Sequence, residues 1–174
     1  VEDFPNSIKL INALKISGRN KAGLGIGVLN AISEKTSVTI RNNDTNQTKT
    51  TLLEPLANYN VFVLDQRFRQ NSSVSFVNTN VLKNGSYKDA NVSAFVYDLN
   101  TKANSYNLKG DFKYSYINQT GLTDNKIGFN TSMSIGETIG KYRYSLYGQY
   151  VSKDFDDNDL GIIFQTHFYS INGN

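Results

Sequence analysis

Apolar and polar residues alternate along much of the chain, in segments of about ten residues broken by clusters of Asn, Gly, Asp and Lys. A period of two belongs to a β-strand, whose successive side chains point to opposite faces. Between Ser105 and Tyr116, one face collects Tyr106, Leu108, Gly110, Phe112, Tyr114 and Tyr116, and the other Ser105, Asn107, Lys109, Asp111, Lys113 and Ser115. The next segment repeats the division, with Ile127, Phe129, Thr131, Met133 and Ile135 set against Gly128, Asn130, Ser132, Ser134 and Gly136. Ile8, Leu10, Leu14 and Ile16 alternate with Lys9, Lys15 and Ser17, and Asn20 to Gly23 predicts a turn. Leu24, Ile26, Val28, Ile32, Val38 and Ile40 share one parity, which predicts one long strand turning at Asp44 to Gln47 and returning through Tyr59, Val61 and Val63. Val74 to Leu82, Ala90 to Leu99, Tyr142 to Tyr150 and Leu160 to Phe168 complete a set of about nine strands. Pro5 and Pro55 fall near strand starts, where a missing N–H is tolerated.

Alternation does not by itself say which face is wet, because a soluble barrel turns its apolar side inward and a membrane barrel turns it to lipid. The opposite face decides. Here it is mostly small and uncharged, whereas the outside of a soluble domain carries more Lys and Glu. Tyr106, Tyr114, Tyr116, Tyr142, Tyr144 and Tyr150 fall toward strand ends on the apolar parity, where the aromatic girdles of a membrane barrel sit. The expectation is an all-β, antiparallel up-and-down transmembrane β-barrel. Its lipid side would carry Tyr106, Leu108, Phe112, Tyr114, Tyr116, Ile127, Phe129, Met133, Ile135, Tyr142, Tyr144 and Leu146. Asn107, Lys109, Asp111, Lys113, Asn130, Ser132 and Ser134 would face the lumen. An odd strand number and a turn-like tail from Tyr169 to Asn174 further suggest that residues 1–174 are a single segment of a larger barrel, incomplete at both ends.

Composition narrows the field. Hydrophobic residues make up 39% and charged residues 19%, too little charge for a disordered chain. Apolar runs stop at three or four residues, as at Val61 to Leu64, where a spanning helix needs about 20. The net charge of +3 comes from scattered Lys and Arg, with no block to follow a phosphate backbone, so no nucleic-acid partner is expected. The chain has no cysteine, which removes disulfides, thiolate metal sites and a cysteine nucleophile. It opens on Val1 with no apolar signal stretch after it, as expected of a mature chain or an excised piece.

Leu14-Lys15-Ile16-Ser17-Gly18-Arg19, followed by Gly23-Leu24-Gly25-Ile26-Gly27-Val28-Leu29-Asn30-Ala31, resembles a family of Bacteroidota outer-membrane proteins of unknown function. Glu54-Pro55-Leu56, Asn58-Tyr59-Asn60-Val61, Leu64-Asp65-Gln66 and Asn158-Asp159-Leu160-Gly161 strengthen the resemblance, which covers most of the chain. In that family a carbohydrate-binding-like β-sandwich of the family-nine type precedes a large C-terminal barrel. The resemblance implies an internal portion of the barrel in the bacterial outer membrane, and it brings no reaction, substrate or catalytic residues.

Chemistry-bearing residues are few. His167 is the only histidine, and as a general base it would need a nucleophile and an orienting carboxylate beside it. The Gly-x-Ser-x-Gly nucleophile elbow is absent. Asp154, Asp156, Asn158 and Asp159 offer alternating oxygen donors like a calcium loop, but without the glycine and distal glutamate of an EF-hand; a solvated turn is the plainer account. Gly23, Gly25 and Gly27 alternate with Leu24, Ile26 and Val28 and precede no helix, so they read as close-packing positions on the lumen face and not as a phosphate loop. The Asn-x-Ser/Thr matches at Asn46, Asn71, Asn91 and Asn118 arise by chance in an asparagine-rich chain. No cofactor and no catalysis are expected. The partners are the lipid bilayer and other outer-membrane or periplasmic subunits, and the role is structural, or transport and channel-like (porin-like). Two rivals stand beside it: a soluble periplasmic β-barrel or sandwich binding a hydrophobic ligand or glycan, and a membrane-associated hydrolase using His167 and the Asp154 to Asp159 cluster.

Overall fold

The computed structural model describes residues 8–42, 44–118, 125–157 and 165–174, and these contain no helix. Nine strands form one antiparallel meander: β1 (Leu10–Arg19), β2 (Leu24–Ser33), β5 (Ala57–Phe68), β6 (Ser72–Lys83), β7 (Asp89–Asn100), β8 (Tyr106–Asn118), β9 (Lys126–Glu137), β10 (Ser145–Val151) and β11 (Phe168–Gly173), paired in that order. A separate hairpin, β3 (Thr36–Arg41) with β4 (Thr48–Glu54), is inserted between β2 and β5. The sheet is not closed among the described residues, since β1 pairs only with β2 and β11 only with β10.

Partners in an antiparallel ladder share a face, so the register assigns every side chain. One row crosses the whole sheet as Gly18, Ile26, Leu64, Phe76, Phe95, Phe112, Thr131, Tyr150 and Tyr169. We call this face outer, because its large apolar side chains lie open: Phe95 is 47% exposed, Phe112 48% and Met133 53%. Within it, Tyr97 lies opposite Gly110 and covers the place where a Cβ would stand, an aromatic side chain compensating a strand glycine. The other, inner face holds most of the buried residues. Ala57, Val81, Ala90, Val92, Ile117 and Val151 gather toward one end of the strands.

The chain covers that patch with its own segment. After β10, residues 153–157 fold back over the inner face, where Phe155 is buried and the Asp156 N–H donates to Ser115 Oγ at 3.1 Å. Gly128 makes this possible, because a Cβ there would stand 2.2 Å from the Phe155 backbone. Even so, the protein exposes 12070 Å², against about 8,500 Å² for a compact monomer of this mass. One layer with one small cover leaves the outer face bare.

The expected single long strand is divided. β2 ends at Ser33, and Val38 and Ile40 belong to β3. Pro55, which has no N–H to continue a ladder, sits at the matching break on the return side, while the turn around Asp44 to Gln47 forms as expected. The tail from Tyr169, expected to be turn-like, is instead strand β11. Tyr169 and Ile171 alternate there with Ser170 and Asn172, and the ladder to β10 runs from Val151↔Phe168 to Leu146↔Gly173. The expected strand Leu160 to Phe168 falls largely outside the described residues. The strand expected from Tyr142 begins at Ser145, leaving Tyr142 and Tyr144 in the connection before it.

Gly128→Val should lower the stability of the folded protein by about 1–3 kcal/mol, the usual cost of overpacking, while Gly148→Ala, with open space around it, should be nearly neutral. Urea midpoints of the two variants check this; equal midpoints would show that residues 153–157 do not pack on Gly128.

Candidate functional site on the inner face

Beyond the covered patch, toward the opposite ends of the strands, the inner face becomes polar and charged. Its first cluster is built on Asp65. This residue pairs in register with Gly25 and Ser75, and the missing side chain at Gly25 leaves room for Arg19 to lie across and form an ion pair with Asp65. Ser75 Oγ donates to the other carboxylate oxygen at 2.7 Å, and Arg67 Nε stands 3.8 Å away. Arg19 also donates to the Gly23 carbonyl at 2.6 Å, and Gly23 takes a φ of +88° that suits glycine.

The second cluster lies on β7, β8 and β9. Asp98 accepts hydrogen bonds from Asn107 at 2.7 Å and Asn100 at 3.0 Å, and Lys109 is its register partner. Asp111 accepts from Ser132 through Oδ2, while its buried Oδ1 has no hydrogen-bond partner among the described residues and lies 3.7 Å from Lys113 Nζ. Across β9, Tyr147 donates to Gln149 at 3.0 Å and Gln149 donates to Asn130 at 3.3 Å. Part of this cluster borders a cavity of about 420 Å³ lined by Val96, Tyr97, Asp98, Lys109, Gly110, Asp111, Ser132, Ser134 and Tyr147.

The sequence-derived lumen set is therefore one surface: Asn107, Lys109, Asp111, Lys113, Asn130, Ser132 and Ser134 all lie on the inner face. Tyr106, Leu108, Phe112, Tyr114, Tyr116, Ile127, Phe129, Met133, Ile135 and Leu146 share the outer one. Gly25 and Gly27 occupy inner positions, as expected of close packing. Sequence reasoning missed Arg19, Asp65, Asp98, Tyr147 and Phe155. The signal for Asp65 and Asp98 was their parity, set by register partners already recognisable as Gly25 and Lys109.

The candidate chemistry is dispersed. His167 is exposed, with a φ of +59°, immediately before β11 and not inside a strand. Asp156 instead lies 3.8 Å from Lys88 Nζ, and Asn158 and Asp159 of the acidic cluster are outside the described residues. Among the described residues no three His, Cys, Asp or Glu side chains converge as metal donors. What the inner face offers is paired charges of both signs among hydroxyls and amides. Such a surface can stay hydrated and can hold or pass a polar solute.

Double-mutant analysis of Arg19→Ala and Asp65→Ala should return a coupling of about 0.5–1 kcal/mol, the range of partly exposed pairs. A coupling near zero in urea unfolding would show that the two side chains do not act together.

A family model described as a domain of unknown function, DUF5916, matches residues 1–174. The chain belongs to that family. No curated protein and no solved structure matches it.

Proposed function

We propose that this DUF5916 chain is wall from a bacterial outer-membrane β-barrel, with its outer face against lipid and its inner face lining a polar lumen, in a structural or channel-like role without catalysis. The observation that carries this is the inverted polarity of the sheet: open phenylalanines, leucines and isoleucines on one face, and ion pairs, amides and hydroxyls on the half-buried other. In water the open apolar face would be a severe association liability; in lipid it is the expected surface. β5 to β9 have 12 or 13 residues each, enough for a tilted strand to cross with a little to spare, since about 9–11 suffice. The open edges at β1 and β11 require further strands, because hydrocarbon does not tolerate unpaired backbone groups. The resemblance to Bacteroidota barrels preceded by a carbohydrate-binding-like sandwich supports the same reading.

The two ends of the sheet are unequal. Residues 20–23, 69–71, 101–105 and 138–144 make the turns at one end, while the other carries the inserted β3–β4 hairpin, the connection 84–88 and the covering residues 153–157. Outer-membrane barrels keep short turns in the periplasm and longer loops outside, which orients the hairpin toward the exterior. A soluble ligand-binding barrel would need the phenylalanine face inside, and a hydrolase would need His167 brought to a nucleophile. Neither arrangement has support in the geometry of the described residues.

Phe112→Arg or Phe129→Arg should cost about 2–4 kcal/mol if the site is near mid-bilayer and strongly reduce assembled protein in the outer membrane. Ser134→Arg, on the half-buried inner face, should be tolerated; it is a better control than Asn130→Arg, because Asn130 is only 6% exposed. Equal loss for all of these variants would count against a lipid-facing phenylalanine row. For orientation, Thr45→Cys should react with an impermeant maleimide on intact cells and Lys102→Cys only after permeabilisation, with the reverse result inverting the topology.

A further inference from the structure

The turns at the short-turn end differ in charge from the rest of the chain. Lys21 stands in 20–23, Arg69 in 69–71, Lys102 in 101–105, and Lys141 and Arg143 in 138–144, and none of these turns contains an Asp or Glu. All five cations are exposed, and none forms an ion pair among the described residues. Glu137 closes β9 beside them, while Asp65 and Asp98 belong to the inner face, where Arg19, Arg67 and Lys109 accompany them. The opposite end mixes both signs. Arg41 and Lys49 share the β3–β4 hairpin with Asp44 and Glu54, and Lys153 precedes Asp154, Asp156 and Asp157.

Hydrogen bonds join the four turns into one rim. The Arg67 N–H donates to the Gly23 carbonyl at 3.0 Å, Asn71 Nδ2 donates to the Thr101 carbonyl at 2.9 Å and to Asn104 at 2.6 Å, and the Thr138 N–H donates to the Ser105 carbonyl at 2.9 Å. Apolar and aromatic side chains reach this rim directly. Leu24 follows Gly23, Phe68 precedes Arg69, and Tyr106 opens β8, all three at outer positions. Gln66, between Leu64 and Phe68 on the same face, turns its amide to the Ala22 and Arg67 carbonyls at 3.0 and 2.7 Å. In the fourth turn Ile139 is 57% and Tyr142 77% exposed, and Lys141 Nζ lies 5.8 Å from the centre of the Tyr142 ring.

The inference rests on the lipid-facing reading proposed above. On that reading Leu24, Phe68 and Tyr106 are the last lipid-facing positions, and the turn backbones beyond them must leave the hydrocarbon. The five cations then stand at headgroup level, where tyrosine belts also sit. A long basic side chain at that level lays its methylenes along apolar surface and keeps its charge in the polar layer. Cations without acidic partners favour a headgroup of net negative charge over a zwitterionic one, by about five-fold for each cation near the surface. An acidic protein would meet the same charges, but Phe68, Ile139 and Tyr142 open beside them suit an occupant that brings acyl chains together with its phosphate.

We propose that the short-turn rim is a binding surface for the phosphate headgroups of anionic phospholipids in the leaflet it meets. Full-length protein would be reconstituted in phosphatidylcholine vesicles carrying a trace of spin-labelled phosphatidylglycerol or spin-labelled phosphatidylcholine, and the immobilised fraction of each label read by electron paramagnetic resonance. Wild-type protein should hold the phosphatidylglycerol label about five-fold more strongly, as expected for one cation per headgroup. That preference should fall toward unity in about 1 M salt, where charges are screened within ~3 Å, and in the variant combining Lys21→Gln, Arg69→Gln, Lys102→Gln, Lys141→Gln and Arg143→Gln. Arg41→Gln, Lys49→Gln and Lys153→Gln together, at the other end, should leave it intact. Equal retention of the two labels by wild-type protein that gives a heat-shifted band in these vesicles, or an unchanged preference in the rim variant, would overturn the rim assignment and leave the barrel reading standing. Protein that does not insert into the vesicles would overturn both.

Discussion

The structure depends on the inter-strand hydrogen-bond ladder and on the register it holds. With a side-chain period of two, a slip of one residue in any strand would move its whole set of side chains to the other face. Register held across nine strands is what sorts Leu64, Phe76, Phe95 and Phe112 to one side and Asp65, Ser75, Val96 and Asp111 to the other. Burial supplies little of the discipline, since the apolar side is the exposed one. The cross-strand pairs themselves supply more, among them the Phe112–Phe129 and Phe129–Tyr150 ring contacts at 6.4 and 5.5 Å.

The inner face divides into two parts with different physics. Toward the long-loop end it resembles a small soluble core, with Phe155 pressed against Gly128 and Ile117 and Val81 buried nearby. Toward the short-turn end it holds Asp65, Asp98 and Asp111, each accompanied by a cation and hydrogen-bond donors. A conduit built from this wall would be narrowed by residues 153–157 at one end and remain polar at the other.

The alternation of β8 and β9 was legible because each has one apolar and one polar face. β5 was harder, because it is apolar on both sides where the inner core forms: Val61 and Val63 point in, Phe62 and Leu64 point out, and the sequence shows only an apolar run. Read alone, Tyr59, Val61 and Val63 look like the membrane side, and only pairing with β2 and β6 assigns them inward. The inner charge clusters were half visible, since Lys109, Asp111 and Lys113 share a strand whereas Arg19 and Asp65 meet only through the β2 register. β11 was obscured by the polar Asn-Gly-Asn ending, and the cover by Phe155 has no periodic signature at all.

The central claim is that the open apolar face belongs against lipid, and detergent dependence of folding tests it most directly. Protein with its native flanking sequence would be refolded with and without detergent, then followed by circular dichroism and by heat-shifted gel mobility. The account predicts a β spectrum and a heat-modifiable band only when detergent or lipid is present. A stable, soluble β monomer in plain buffer would contradict it and would mean that the phenylalanine and tyrosine face is closed inside the molecule.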